Sequence, residues 1–198
     1  MVISNKNLMT QAREALSGRW GLAVGTYFVY GLILVVISSI PIVGFLTSLL
    51  VGGAFSLGVA TFSLAFARRE ENAKLEMIFS GFDSFGKALG LYLLIAIFTL
   101  LWTLLLIIPG IIAAISYSQA FFIMSEDGSV KAIDAINKSQ KMMYGYKWKY
   151  FCLGCRFIGW FFLGILSCGI GFLWIAPYLH ISVAKFYEDV KANYVELA

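Results

Sequence analysis

Three long stretches of the chain, residues 20–67, 88–125 and 157–184, contain no Asp, Glu, Lys or Arg. A helix that crosses a membrane needs roughly 20 consecutive apolar residues. The first stretch therefore holds two spans and a tight turn, near Gly21 to Ile40 and from the outer turn at Pro41 and Gly44 back to Ala67. The second holds two shorter or tilted spans, and the third holds two if the first begins at Trp148 and carries Arg156 inside it. Hydrophobic residues make up 60% of the chain and charged residues 13%, against about a quarter charged in a soluble domain. The expected fold is all-α: one polytopic membrane domain over residues 1–198, with six transmembrane helices arranged as three hairpins.

The hairpins look like copies of one unit. Ser17-Gly18-Arg19-Trp20-Gly21 with Gly25 returns as Ser80-Gly81, Phe85-Gly86 with Gly90, and more loosely as Gly145-Tyr146-Lys147-Trp148. The aromatic anchors Trp20, Phe85 and Trp148 recur at nearly equal intervals, each after an amphipathic segment and before an apolar run. Repeat units of approximately 5–70, 71–127 and 128–190 follow. The two Gly-x-x-x-Gly pairs, Gly21/Gly25 and Gly86/Gly90, are expected to let helices approach closely.

Each unit opens with a predicted surface helix. Leu8, Met9, Ala12, Ala15 and Leu16 form the apolar face of the first, and Leu75, Ile78, Phe79 and Phe82 that of the second. The third starts after Asp127-Gly128 with Ser129 as its cap, and its stripe is Val130, Ile133, Ile136, Met142 and Met143. The plain reading is three half-buried connectors on the membrane surface. The functional one is a docking site for a protein partner, with Ile133, Ile136 and Met142 as candidates.

All the lysines and arginines except Arg156 fall on one side of this arrangement, and the opposite turns carry no charge. Basic loops face the cytoplasm, so both termini are expected inside. The formal net charge of +4 then reads as topology and attraction to anionic lipid heads, with no nucleic-acid partner. The polar, charged N-terminus predicts no cleavable signal.

Polar side chains at membrane depth are costly and are functional candidates by default. Tyr117 and Gln119 in the fourth span, Arg156 in the fifth and His180 in the sixth form such a set. At 1.5 Å per residue, Arg156 lies roughly 12 Å in from Trp148 and His180 roughly 14 Å in from Gly171, so the groups can share one level. A cationic, hydrogen-bonding cluster of this kind suits an anionic group such as a lipid phosphate. The plain alternatives are an Arg156 that snorkels to the interface and a His180 that packs. Pro109, Gly110 and Pro177 are candidate hinges or kinks.

Catalysis in a bilayer requires an acid pair, a histidine cluster or a nucleophile with its base, and every Asp and Glu here lies in the polar segments. Cys152-x-x-Cys155 has no second ligand pair. No cofactor or metal is implied.

The segments IIPGIIAAISYSQAFFIMSED, AINKSQKMMYGYKWKYF and FIGWFFLGILSCGIGFLWIAPYLHISVAKFYED, with AREALSGRW near the start, resemble a bacterial family of integral membrane proteins catalogued as domain of unknown function 975. More remotely the chain is similar to the membrane region of some bacterial glycerophosphodiester phosphodiesterases, whose catalytic domain has no counterpart here. The resemblance implies a multipass plasma-membrane protein of Gram-positive or related bacteria and supplies no activity. The functional expectation is a non-catalytic module that binds lipid or a partner as scaffold, sensor or accessory subunit. The alternative is a small transporter or lipid-moving protein whose central cavity binds an anionic ligand.

Overall fold

Where charge is absent the chain forms long helices, and where charge returns it turns. The computed structural model describes residues 3–39 and 41–195, the side chains of 38, 41–46, 48 and 195 apart; Ile40, the expected end of the first span, lies outside the described residues. The elements are α1 (Asn5–Leu16), α2 (Trp20–Ser38), α3 (Pro41–Ala67), a 3-10 helix (Leu75–Phe82), α4 (Phe85–Leu105), α5 (Ile107–Tyr117), α6 (Ala120–Glu126), α7 (Ala132–Met142), α8 (Lys147–Leu166) and α9 (Phe172–Val195). No strand occurs among the described residues.

Among the described residues five segments are long and apolar enough to cross a membrane: Trp20–Ile37, Leu49–Ala67, Phe85–Leu105, Ile107–Glu126 and Lys147–Leu166. Most of the α2, α4 and α8 segments is unburied, with Leu32, Val36, Leu100, Leu104, Phe162 and Ile165 all exposed. Apolar surface on this scale marks a membrane protein. The expected sixth span corresponds to α9. That helix is 24 residues long and contains Pro177, but Lys185, Glu188, Asp189 and Lys191 in its second half keep it out of the set of apolar segments.

α3 and α9 form the centre. α3 packs on the 3-10 helix, α4, α6 and α9, while α9 packs on α1, α2, α3 and α8. The closest approaches are made by glycines other than those in the two Gly-x-x-x-Gly pairs. A Cβ on Gly58 would overlap the Ile78 carbonyl, and one on Gly81 would overlap the Ala54 carbonyl, so α3 and the 3-10 helix touch backbone to backbone. Gly53 meets Ala88 of α4 in the same way. Around Gly21, Gly25, Gly86 and Gly90 nothing lies within 4 Å of such a Cβ, so the close packing expected of those pairs is not made within this chain.

The surface segments are more buried than their sequences imply. α1 is capped by Ser4, whose Oγ accepts the Asn7 N–H. Its apolar face, Leu8, Ala12, Ala15 and Leu16, is buried against protein, chiefly α9. Each of the two leucines thereby removes about 1.5–3 kcal/mol of side-chain exposure to water.

The second segment is a 3-10 rather than an α-helix. Three residues per turn stack Leu75, Ile78 and Gly81 on one edge, and the last two are buried. Phe79 and Phe82 fall on the next edge and stay exposed. In α7 the cap position is Lys131, and the Ser129 hydroxyl and N–H instead donate to Asp127 Oδ1. These two bonds hold the exposed Asp127 carboxyl below its usual range.

The outer turn between α4 and α5 is made by Leu106, in extended conformation (φ −161°, ψ 140°). Pro109 thus sits in the first turn of α5, where its missing N–H costs nothing. Gly110 lets α5 close on Thr103 of α4. Pro177 lies within the continuous α9.

Candidate functional site

Charge gathers at one end of the bundle. Glu126 at the end of α6 pairs with Arg68 and with Lys191, whose Nζ reaches both carboxylate oxygens at 2.6–2.7 Å, and it accepts the Tyr187 hydroxyl at 2.5 Å. Arg68 also holds Glu188 at 2.8 Å. Desolvation opposes the Arg68 charge, yet Glu188 and Glu126 together raise its pKa. Asp189 accepts Lys149 Nζ at 2.6 Å and the Ile3 N–H at 3.1 Å. These bonds join α3, α6, α8, α9 and the start of the chain into one polar plate.

A lateral groove of 640 Å³ runs along α4 and α5 to the end of α7 and the start of α8, lined by Trp102, Pro109, Ile112, Ala113, Ser116, Tyr117, Gln140, Lys141, Tyr144 and Lys147. α4 and α5 supply an apolar wall that extends roughly 12 Å along α5, at 1.5 Å per residue from Pro109 to Tyr117. The C-terminal end of α7 and the start of α8 supply the polar mouth.

Lys141 and Lys147 reach the same mouth because the chain reverses between them at Gly145, whose φ of +81° is a left-handed conformation that favours glycine. Neither lysine side chain has a hydrogen bond or ion pair with a described residue, and among the described residues no carboxylate lines the groove. This is an apolar slot with two uncompensated cations, a tyrosine hydroxyl and an amide at its polar end.

A second cavity, of 440 Å³, lies between α2, α3, the α5–α6 junction, α8 and α9. It is lined by apolar side chains and by Tyr30, Ser56, Ser118, Tyr150 and His180. His180 stacks on Tyr27 with ring centroids 5.3 Å apart, and the Tyr27 hydroxyl shares a 3.0 Å hydrogen bond with Ser63.

The junction between α5 and α6 is stitched by α7. The Ser139 hydroxyl donates to the Ser116 carbonyl at 2.7 Å and accepts the Gln119 N–H at 3.3 Å, supplying partners at a helix break.

The four polar residues singled out in the sequence are distributed over these features. Tyr117 lines the groove and packs on Phe98, and His180 lines the second cavity. Gln119 is buried, with its amide donating to Ser118 at 2.9 Å. Arg156 is exposed on α8, lines neither cavity and has no partner among the described residues.

Of the docking candidates, Ile136 and Met142 are buried in the core and only Ile133 is exposed. Sequence reasoning assigned Lys141 and Lys147 to topology and a general attraction to anionic lipid heads, and did not single out Gln140, Tyr144, Tyr30, Ser56 or Tyr150. A signal was present for the lysines: Lys138, Lys141, Lys147 and Lys149 lie in a run without an acid from Asp134 to Glu188.

A family model described as protein of unknown function (DUF975) matches residues 1–116 and 103–194. No curated protein and no solved structure matches the chain.

Proposed function

We propose, from the premise that the chain belongs to the DUF975 family of proteins of unknown function, that it is a non-catalytic, lipid-binding scaffold or accessory subunit of a bacterial plasma membrane. Its occupant in the lateral groove is an anionic phospholipid. The observation that carries this reading is the pairing of an apolar wall with the uncompensated Lys141 and Lys147 at one mouth. A phosphodiester matches such a mouth in charge, and its acyl chain matches the wall in polarity. The size lies within the range of small-molecule sites.

In this reading α9 is the sixth span and the ion-paired plate is its cytoplasmic end, so both termini face the cytoplasm. The threefold repeat fits the element order, because each surface segment (α1, the 3-10 helix, α7) precedes a helical hairpin. Gly18 and Gly145 add support: they stand before the anchors Trp20 and Trp148 with nearly the same left-handed φ, +78° and +81°. Partner docking through α7 rests on Ile133 alone, since Ile136 and Met142 are turned inward. The transporter alternative has a cavity at His180 but lacks the cation it needs, because Arg156 lies elsewhere.

The test is native mass spectrometry of the protein released from nanodiscs of mixed phosphatidylglycerol and phosphatidylcholine. Wild type should retain phosphatidylglycerol selectively. Lys141→Ala/Lys147→Ala should lose about 2 kcal/mol of that preference, about thirtyfold, at roughly 1 kcal/mol per lysine near an anionic headgroup. Equal retention of the two lipids, or a double variant that behaves as wild type, defeats the reading.

A further inference from the structure

The cavity beside His180 differs from the groove in the chemistry it offers. Among the described residues no Lys, Arg, Asp or Glu lines it. Three of its polar side chains have no hydrogen bond to any described residue: Tyr30, whose ring contacts are with Tyr27 and Phe55; Ser56; and His180, which only stacks on Tyr27. The other two sit together: Ser118 donates to the Ile115 carbonyl and accepts the Gln119 amide, and Tyr150 faces Ser118 across the cavity lining. Unpaired polar groups at this depth are costly, since lipid supplies no partners. Three of them converging on one 440 Å³ space with walls of Val59, Phe121, Leu153 and Leu179 therefore point to an occupant with its own hydrogen-bonding atoms.

We propose that this cavity binds the head of an uncharged amphiphile, a lipid alcohol or glyceride whose hydroxyl and carbonyl oxygens bond His180, Tyr30 and Ser56. The three side chains offer hydroxyl and imidazole groups that both donate and accept, which fits an alcohol or ester. An ionised head would be stranded there without a counter-charge.

Toward the charged end, Phe122 of the cavity wall stacks on Tyr187 at 5.4 Å, and Tyr187 is tied to Glu126. This contact stands between the cavity and the charged end. The protein thus separates two lipid classes, anionic heads at the lysine mouth and neutral heads at His180.

The experiment presents detergent-solubilised full-length protein with equimolar monoolein or oleate at pH 9, which share one acyl chain but differ in head charge, and reads retained adducts by native mass spectrometry. In the Lys141→Ala/Lys147→Ala background, which removes the groove's cations, the protein should retain monoolein and not oleate. His180→Phe, which keeps the stack on Tyr27, and Ser56→Ala should each lower monoolein retention about fivefold, the usual effect of one lost hydrogen bond. Lys141→Ala/Lys147→Ala should leave it unchanged. Equal retention of oleate by the lysine variant, no loss of monoolein in both cavity variants, or loss of monoolein in the lysine variant would each overturn the assignment. The lysine outcome would do so by placing monoolein in the groove, whether or not phosphatidylglycerol binds there.

Discussion

Removing the carboxylate of Asp189 should loosen the charged plate by an amount its surroundings set. The side chain is 3% exposed and its partner Lys149 is 17% exposed, with 2.6 Å between Nζ and Oδ2. Oδ1 also accepts the Ile3 N–H at 3.1 Å and the Asn193 amide at 3.4 Å. Breaking a buried pair by deleting one member costs about 3–5 kcal/mol, mostly through the stranded charge. Asp189→Ala strands Lys149, which still reaches solvent in part and lies 5.4 Å from the Phe186 ring centroid, so about 3 kcal/mol is expected.

Lys149→Met strands the more deeply buried carboxylate and should cost about 4 kcal/mol. The double variant Asp189→Leu/Lys149→Met strands no charge and should lie within about 1 kcal/mol of wild type, since an apolar pair of similar volume often replaces a buried ion pair without loss. Thermal unfolding in detergent, followed by tryptophan fluorescence, reads these as falls in Tm of about 6–12 °C for Asp189→Ala and little for the double variant, at about 2–4 °C per kcal/mol for a chain of this size. A double variant that falls as far as the two single variants combined would refute the reasoning, because the cost would then lie in lost packing.

Gly58→Ala and Gly81→Ala each force a methyl group into a backbone carbonyl and should destabilise by at least about 2 kcal/mol. Gly86→Ala and Gly90→Ala face open space within the chain and should shift stability by no more than about 1 kcal/mol; the same unfolding assay separates the two pairs. Ser139→Ala removes both the donor to the Ser116 carbonyl and the acceptor of the Gln119 N–H. It should cost about 1–3 kcal/mol, with faster hydrogen exchange at residues 116–120 as its local signature.

The helical class was legible because charge cannot be hidden in hydrocarbon: the charge-free stretches coincide closely with α2 to α6 and with the second half of α8 and the first half of α9. Finer features depended on contacts between distant segments. Leu75, Ile78, Phe79 and Phe82 satisfy the α period, whereas the segment is a 3-10 helix whose Ile78 backbone lies against Gly58 of α3. α1 has the composition of a membrane-surface helix, but its apolar face meets α9 before it meets lipid. The Gly-x-x-x-Gly pairs and the tight glycines of α3 are alike in sequence, and a neighbour's backbone alone distinguishes them.

At the candidate site, polarity within apolar runs led to Tyr117 and His180, which both line cavities. Lys141 and Lys147 were read only as part of the basic side of the chain, because their convergence on one groove depends on the left-handed Gly145.

The most direct measurement uses Trp102, the only tryptophan in the lateral groove. With Trp20, Trp148, Trp160 and Trp174 replaced by Phe, its fluorescence is recorded in bilayers containing a small fraction of chain-brominated phosphatidylglycerol or chain-brominated phosphatidylcholine. Occupancy of the groove by anionic lipid should give stronger quenching by the brominated phosphatidylglycerol at the same fraction, an excess abolished by Lys141→Ala/Lys147→Ala. Equal quenching by the two lipids, or an excess that survives loss of both lysines, would contradict it.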